Sequence, residues 1–119
     1  MSWFLAKIVY RIICGDGSHT AQFDEQLRLI NAIDEASAFE KARQIGKQEQ
    51  EVFPNSHQQL VHWQFVNVSE LYKISELIDG AELYSRVEET ESADVYIENV
   101  HKKAAYLHTS IVQKFLPLF

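Results

Sequence analysis

The chain has 119 residues, a formal net charge of −6 and one cysteine. This length is typical of a single domain, and a composition of 46% hydrophobic and 24% charged residues excludes a disordered chain. One cysteine can form no intramolecular disulfide, and no apolar run approaches the roughly 18 residues of a membrane-spanning helix. Lys7 and Arg11 interrupt the apolar N-terminal stretch, so no signal peptide is expected. We therefore expect a cytoplasmic protein, one domain over residues 1–119, without membrane association.

Apolar and polar residues alternate on both sides of a Gly-Asp-Gly turn at residues 15–17, which predicts a β-hairpin over residues 3–30. A turn centred between the second and third of these turn residues pairs Tyr10 with Phe23. In that register the apolar faces of the two strands match, and Glu25 falls on the apolar face.

A helix is predicted over residues 35–51. Asp34 is a candidate N-cap, because its short side chain can accept from the free backbone N–H groups of the first turn. Phe39, Ala42 and Ile45 fall on one helical face, so Phe39 is expected to be a core residue.

Two further strands are predicted, over residues 59–71 and 81–87. The first is rich in β-formers, but the phase of its apolar alternation changes near Phe65 or Val66, and a β-bulge at that point would reconcile the two phases.

The last element is a helix over residues 93–112, followed by an apolar tail over residues 113–119. Ser92 is its candidate N-cap, and apolar residues recur at steps of three and four along it. Because apolar residues continue past the expected end of the helix, we expect a homodimer whose interface includes this helix or the tail. The candidate interface residues are Leu107, Ile111, Phe115, Leu116, Leu118 and Phe119.

The order of these elements, ββαββα, predicts an α+β fold. The economical architecture is a four-stranded, mainly antiparallel sheet with both helices packed on one face.

Several segments resemble a family of small bacterial proteins known as domain of unknown function 4288. The resemblance rests on Trp-Phe at 3–4, Ala-Lys-Ile-Val-Tyr-Arg at 6–11, Gly-Asp-Gly at 15–17, Gln-Phe-Asp-Glu-Gln at 22–26 and Ala-Phe-Glu-Lys-Ala at 38–42. It covers most of the chain up to the last helix and implies a bacterial, cytoplasmic, stand-alone domain. It carries no activity, ligand or catalytic residue.

Glu25 is the most informative candidate for a binding site. A carboxylate on an apolar face must be paired, hydrogen-bonded or protonated, so it could anchor a ligand in a pocket beside Tyr10 and Trp63. Alternatively, a bulge at Asp24 turns Glu25 outward, or the register itself differs.

A second candidate is a reactive pair formed by Cys14 and His19, which face each other across the predicted hairpin. The usual enzyme signatures are absent, and no catalytic residue is assigned. The histidines are scattered, so no metal site is expected, and no cofactor is predicted.

Negative charge is concentrated in residues 70–98, which contain nine acidic residues and only two basic ones. Such a segment opposes nucleic-acid binding and could attract a basic protein partner. Three functions are consistent with the sequence. The favoured one is a non-catalytic binding or self-association module. The alternatives are an inhibitor of the immunity or antitoxin type that uses the acidic segment, and a small enzyme with an acid or thiol in a pocket between sheet and helix.

Overall fold

A computed structural model describes residues 1–115 of the chain. Contacts within the chain divide it into two compact units. The first is Met1–Ser85, and the second begins at Arg86. Each unit is described by itself below. Of the predicted interface residues, Leu116, Leu118 and Phe119 lie outside the described residues, as does the side chain of Phe115.

The first unit is a four-stranded antiparallel sheet with one helix on it. The strands are β1 (Ser2–Cys14), β2 (Gln22–Ala32), β3 (Glu51–Pro54) and β4 (Leu60–Ile74), in the spatial order β2-β1-β4-β3. Helix α1 (Glu35–Gln48) connects β2 to β3, and α2 (Ala93–Phe115) belongs to the second unit. The predicted α+β class and the ββαββα order are confirmed.

The hairpin of β1 and β2 forms, but the predicted register is wrong by one residue. Pairing is centred on Gly17, so Tyr10 faces Asp24 instead of Phe23, and Val9 faces Glu25. Because side chains alternate between the faces of a strand, this single step exchanges the two faces of β2. Phe23 is 56% exposed as a result.

Helix α1 lies on the face of the sheet that carries the even-numbered residues of β1. The main chain of Ser37 donates a 2.8 Å hydrogen bond to Asp34 Oδ1, which confirms the predicted N-cap. The buried residues of α1 are all small: Ala38, Ala42 and Gly46. The helix therefore approaches the sheet closely, and it ends three residues earlier than predicted.

The prediction that Phe39 is a core residue is wrong. Its side chain is 37% exposed and lies beside the Arg43 guanidinium, whose carbon is 5.9 Å from the ring centroid. The face of α1 that packs on the sheet is instead formed by Ala38, Ala42 and Gly46, which are spaced four residues apart. A bulky side chain on this face would hold α1 away from β1.

The core between α1 and the sheet is apolar and includes the largest fully buried side chains, which are Tyr10, Phe4, Ile8 and Ile30. No buried residue within the described part of the chain is polar or charged.

Strand β4 contains the predicted bulge and a second one. Pairing with β1 skips Val66 and then Ser69. The amide of Phe65 beside the first bulge donates to Gln50 Oε1 at 2.9 Å, so this main-chain group has a side-chain partner.

The prediction of a strand over residues 81–87 is wrong, since residues 75–92 contain neither helix nor strand. The fourth strand is the short β3, which pairs with the beginning of β4. Tyr84 nevertheless packs edge-on against Tyr72 of β4, with ring centroids 5.5 Å apart. The segment up to residue 85 is thus attached to the sheet without extending it.

The second unit contains α2. Ser92 caps it, since Ser92 Oγ accepts from the amide of Val95 at 3.3 Å. The helix is three residues longer than the predicted range of 93–112. Within residues 1–115, neither helix combines the length and the apolar composition that a membrane crossing requires.

Candidate functional site

A cavity of about 260 Å³ opens on the helix side of the sheet, where α1 ends and β3 begins. Alternate residues of β1 and β2 point to this side, and β3 and β4 close it from the other direction. The lining side chains belong to Tyr10, Gln26, Arg28, Glu49, Glu51, Phe53 and Trp63.

One wall of the cavity is aromatic and rigid. Tyr10 is 2% exposed, and its ring centroid lies 6.2 Å from Trp63 and 6.1 Å from Phe65. The Tyr10 hydroxyl donates a 2.8 Å hydrogen bond to the carbonyl of Gly46, in the last turn of α1. The ring is therefore fixed both by packing and by the end of the helix.

Burial raises the pKa of the Tyr10 phenol, and the nearby Glu49 carboxylate raises it further, against the opposing effect of Arg28. The phenol consequently stays protonated at neutral pH. Its proton is donated to Gly46, and its ring gives the cavity an aromatic surface.

The opposite wall is a chain of polar side chains along β2. Gln26 donates to Asp24 at 2.6 Å, and Arg28 donates to Gln26 at 3.0 Å. Arg28 also forms a 2.7 Å ion pair with Glu49, just beyond the C-terminus of α1. The two side chains are 35% and 49% exposed, so the pair positions them more than it stabilises the fold.

Negative charge exceeds positive charge around the cavity. Asp24, Glu49 and Glu51 contribute three carboxylates against the single guanidinium of Arg28. The Glu51 carboxylate is exposed and forms no ion pair with any residue in the described range 1–115. The C-terminus of α1 adds the negative end of its dipole to this field.

The structure brings together two of the three residues predicted for a pocket. Tyr10 and Trp63 line the same cavity, whereas Glu25 is exposed on the other face of the sheet because of the register difference. Arg28 and Glu51 were missed by the sequence analysis. The alternation of β2 places Arg28 on the same face as Gln26, and the one-residue error in the predicted register assigned that face to the wrong side of the sheet.

Cys14 and His19 are neighbours, but the thiol does not contact the imidazole through a hydrogen bond. His19 Nε2 accepts a 3.0 Å hydrogen bond from the main-chain N–H of Cys14, and Nδ1 lies 2.8 Å from the carbonyl of Thr20. Together these contacts require the tautomer with the proton on Nδ1. Both ring nitrogens are thus used by the main chain, which leaves none to activate the thiol.

Among residues 1–115, no three His, Cys, Asp or Glu side chains are grouped closely enough to hold a metal ion. The acidic segment begins in β4, where Glu70 is half-buried, and its acidic residues from Glu76 onward are exposed; its residues 75–92 are irregular. Of the predicted interface residues, Leu107 is 61% and Ile111 is 52% exposed on α2.

The family model for the Domain of unknown function DUF4288 matches residues 3–85, which nearly coincide with the first unit. No curated protein and no solved structure matches the chain. The match covers well over half of the chain and confirms the resemblance inferred from the sequence. The chain therefore belongs to the DUF4288 family.

Proposed function

We propose that this member of the DUF4288 family is a non-catalytic binding module of the bacterial cytoplasm, whose cavity binds an organic cation, a guanidinium or ammonium group. The observation that carries the proposal is the combination of a fixed aromatic wall, formed by Tyr10 and Trp63, with a carboxylate, Glu51, that has no cationic partner within the described residues.

Three physical effects favour a cation in this position. The faces of tyrosine and tryptophan attract cations by about 0.5 to 2 kcal/mol, depending on exposure. Glu51 supplies a charge that the ion pair of Arg28 with Glu49 does not neutralise. The carbonyl end of α1, which already holds the Tyr10 hydroxyl, also favours positive charge.

The size of the cavity limits the ligand. Its volume of about 260 Å³ is at or below the lower end of small-molecule pockets, which run to roughly 300 to 1,000 Å³. This volume suits one side chain or a small amine. The cation is therefore either a free small molecule or an arginine or lysine side chain of a basic protein partner.

A basic protein partner as the source of the cation would also agree with the acidic segment. The excess of carboxylates in residues 70–98 would increase the rate of encounter with a basic protein. An inhibitor of the immunity or antitoxin type would use both features, the segment for attraction and the cavity for one basic side chain. The hydrogen bonds of His19 and the protonated phenol of Tyr10 support a binding module over an enzyme.

Isothermal titration calorimetry with N-acetyl-arginine amide tests the proposal, with the neutral isostere N-acetyl-citrulline amide as the ligand control. We expect binding of the arginine compound only, with quenching of tryptophan fluorescence through Trp63. Glu51→Gln should weaken binding by up to about fivefold, the range of a solvent-exposed ion pair.

Glu25→Gln is the matched control variant, since it removes another exposed carboxylate, one on the opposite face of the sheet. Equal binding of the citrulline compound, or equal weakening by the two variants, would contradict the proposal. Tighter binding of an arginine-containing peptide than of the amide indicates a protein source, and equal affinity indicates a free amine.

A further inference from the structure

Helix α2 carries a continuous apolar seam. Apolar residues recur along it at alternating steps of four and three, which is the spacing of the two apolar positions in the heptad repeat of a coiled coil. The large side chains of the seam are between 48% and 61% exposed. The seam consists of Ala93, Ile97, Val100, Ala104, Leu107 and Ile111.

From this seam we infer that α2 pairs with α2 of a second copy of the chain, in antiparallel orientation. This inference concerns the second unit, lies outside the family match, and does not depend on the cation site.

The seam is complementary to itself when one copy is reversed. Around Lys102, apolar positions are spaced symmetrically: Val100 and Ala104 are each two residues away, and Ile97 and Leu107 are each five residues away. Reversal about this point places each member of such a pair opposite the other. A two-fold dimer requires this kind of self-complementary surface.

The outermost layer follows the same rule. Ala93 and Ile111 are each nine residues from Lys102, so they also face each other after reversal. An alanine is opposite a larger aliphatic residue in two of the three pairs: Ala93 faces Ile111, and Ala104 faces Val100. Alternation of small and large side chains is what close helix packing needs.

Charge selects the antiparallel orientation over the parallel one. Acidic residues lie before Lys102, at Glu91, Asp94 and Glu98, whereas Lys103 and Lys114 lie after it. Antiparallel pairing brings the acidic start of one α2 close to Lys114 of the other. Parallel pairing would place each of these acidic residues, and Lys114, beside its own copy, which is unfavourable. Lys102 and Lys103 lie near the centre and meet their copies in either orientation.

Sedimentation equilibrium of the full chain tests the association. We expect a doubled mass for the wild type, the monomer mass for Leu107→Asp, and a doubled mass for Tyr106→Asp. Tyr106 is the matched control because it is adjacent, is 74% exposed and lies outside the seam. A monomeric wild type overturns the inference, as does a dimer that survives Leu107→Asp or is lost equally in Tyr106→Asp.

Disulfide formation tests the orientation, in a Cys14→Ser background that removes the native thiol. Ile97→Cys should not crosslink with itself under mild oxidation, because in the antiparallel dimer the two copies of this residue are well separated. A mixture of Ile97→Cys and Leu107→Cys proteins should give the mixed disulfide. Efficient self-crosslinking of Ile97→Cys would show parallel pairing and overturn the antiparallel arrangement.

Discussion

Gly46→Ala should destabilise the first unit, although alanine is the better helix former. At Gly46, α1 packs directly against side chains of Phe65 in β4 and Ile8 in β1. A Cβ added there would lie 2.5 Å from Cδ1 of Phe65, closer still to Cε1, and 3.2 Å from Cγ2 of Ile8, whereas ordinary contacts begin at 3.4 Å. The Phe65 ring cannot swing away freely, since it packs against the ring of Tyr10 at 6.1 Å. Ring or helix must therefore retreat by roughly 1 Å.

Two opposing effects set the size of the change. Alanine in place of glycine favours a helix interior by about 1 kcal/mol. An extra methyl group in a packed core costs about 1 to 3 kcal/mol. If α1 retreats, it also strains the hydrogen bond from the Tyr10 hydroxyl to the Gly46 carbonyl, itself worth about 1 kcal/mol. We expect a net loss of about 1 to 3 kcal/mol in the free energy of unfolding.

Urea denaturation followed by tryptophan fluorescence measures this loss. A double-mutant cycle with Phe65→Ala isolates its cause, because removal of the ring removes the clash. In the Phe65→Ala background, Gly46→Ala should be neutral or should stabilise the fold by up to about 1 kcal/mol. A single variant more stable than the wild type, or an equal loss in both backgrounds, refutes the close-approach argument.

Two further predictions concern hydrogen bonds of the first unit. Tyr10→Phe should lower the free energy of unfolding by about 1 kcal/mol, because a carbonyl at the end of α1 loses its donor; an unchanged urea midpoint would contradict this. Asp34→Ala should lower stability at neutral pH. The Ser37 amide lowers the pKa of Asp34 below 3.8, so the contribution is present above that pH and disappears as the pH falls through the folded value. Urea midpoints of wild type and variant should thus converge in acid, and a constant difference would count against the cap.

Local features of the fold were predictable because they depend on neighbouring residues. The alternation of β1, the capping role of Asp34 and the bulge near Val66 each leave a pattern within a few positions. The period of α2 is equally local, although its end lay three residues beyond the prediction.

Features that depend on contacts between residues far apart in the sequence were not predictable in the same way. The hairpin pairs about Gly17 itself, and the polar residues after it carry no signal that separates this register from one centred half a residue earlier. That difference decides whether Glu25 or Arg28 faces the cavity. Phe39 was misplaced for a related reason, since the width of the space between α1 and the sheet is set by Gly46 and Phe65, not by the helix alone.

The two bulges of β4 allow the length of this strand to change during evolution. Trp63 before the bulges and Leu71 after them both face α1, because each bulge absorbs one extra residue, Val66 or Ser69, while the residues around it keep their partners on β1. Loss of either extra residue would turn that bulge into regular pairing and would leave Trp63 and Leu71 on the side of α1. Relatives with a β4 shorter by one or two residues should therefore lack one or both bulges and still carry apolar residues at the positions that face α1.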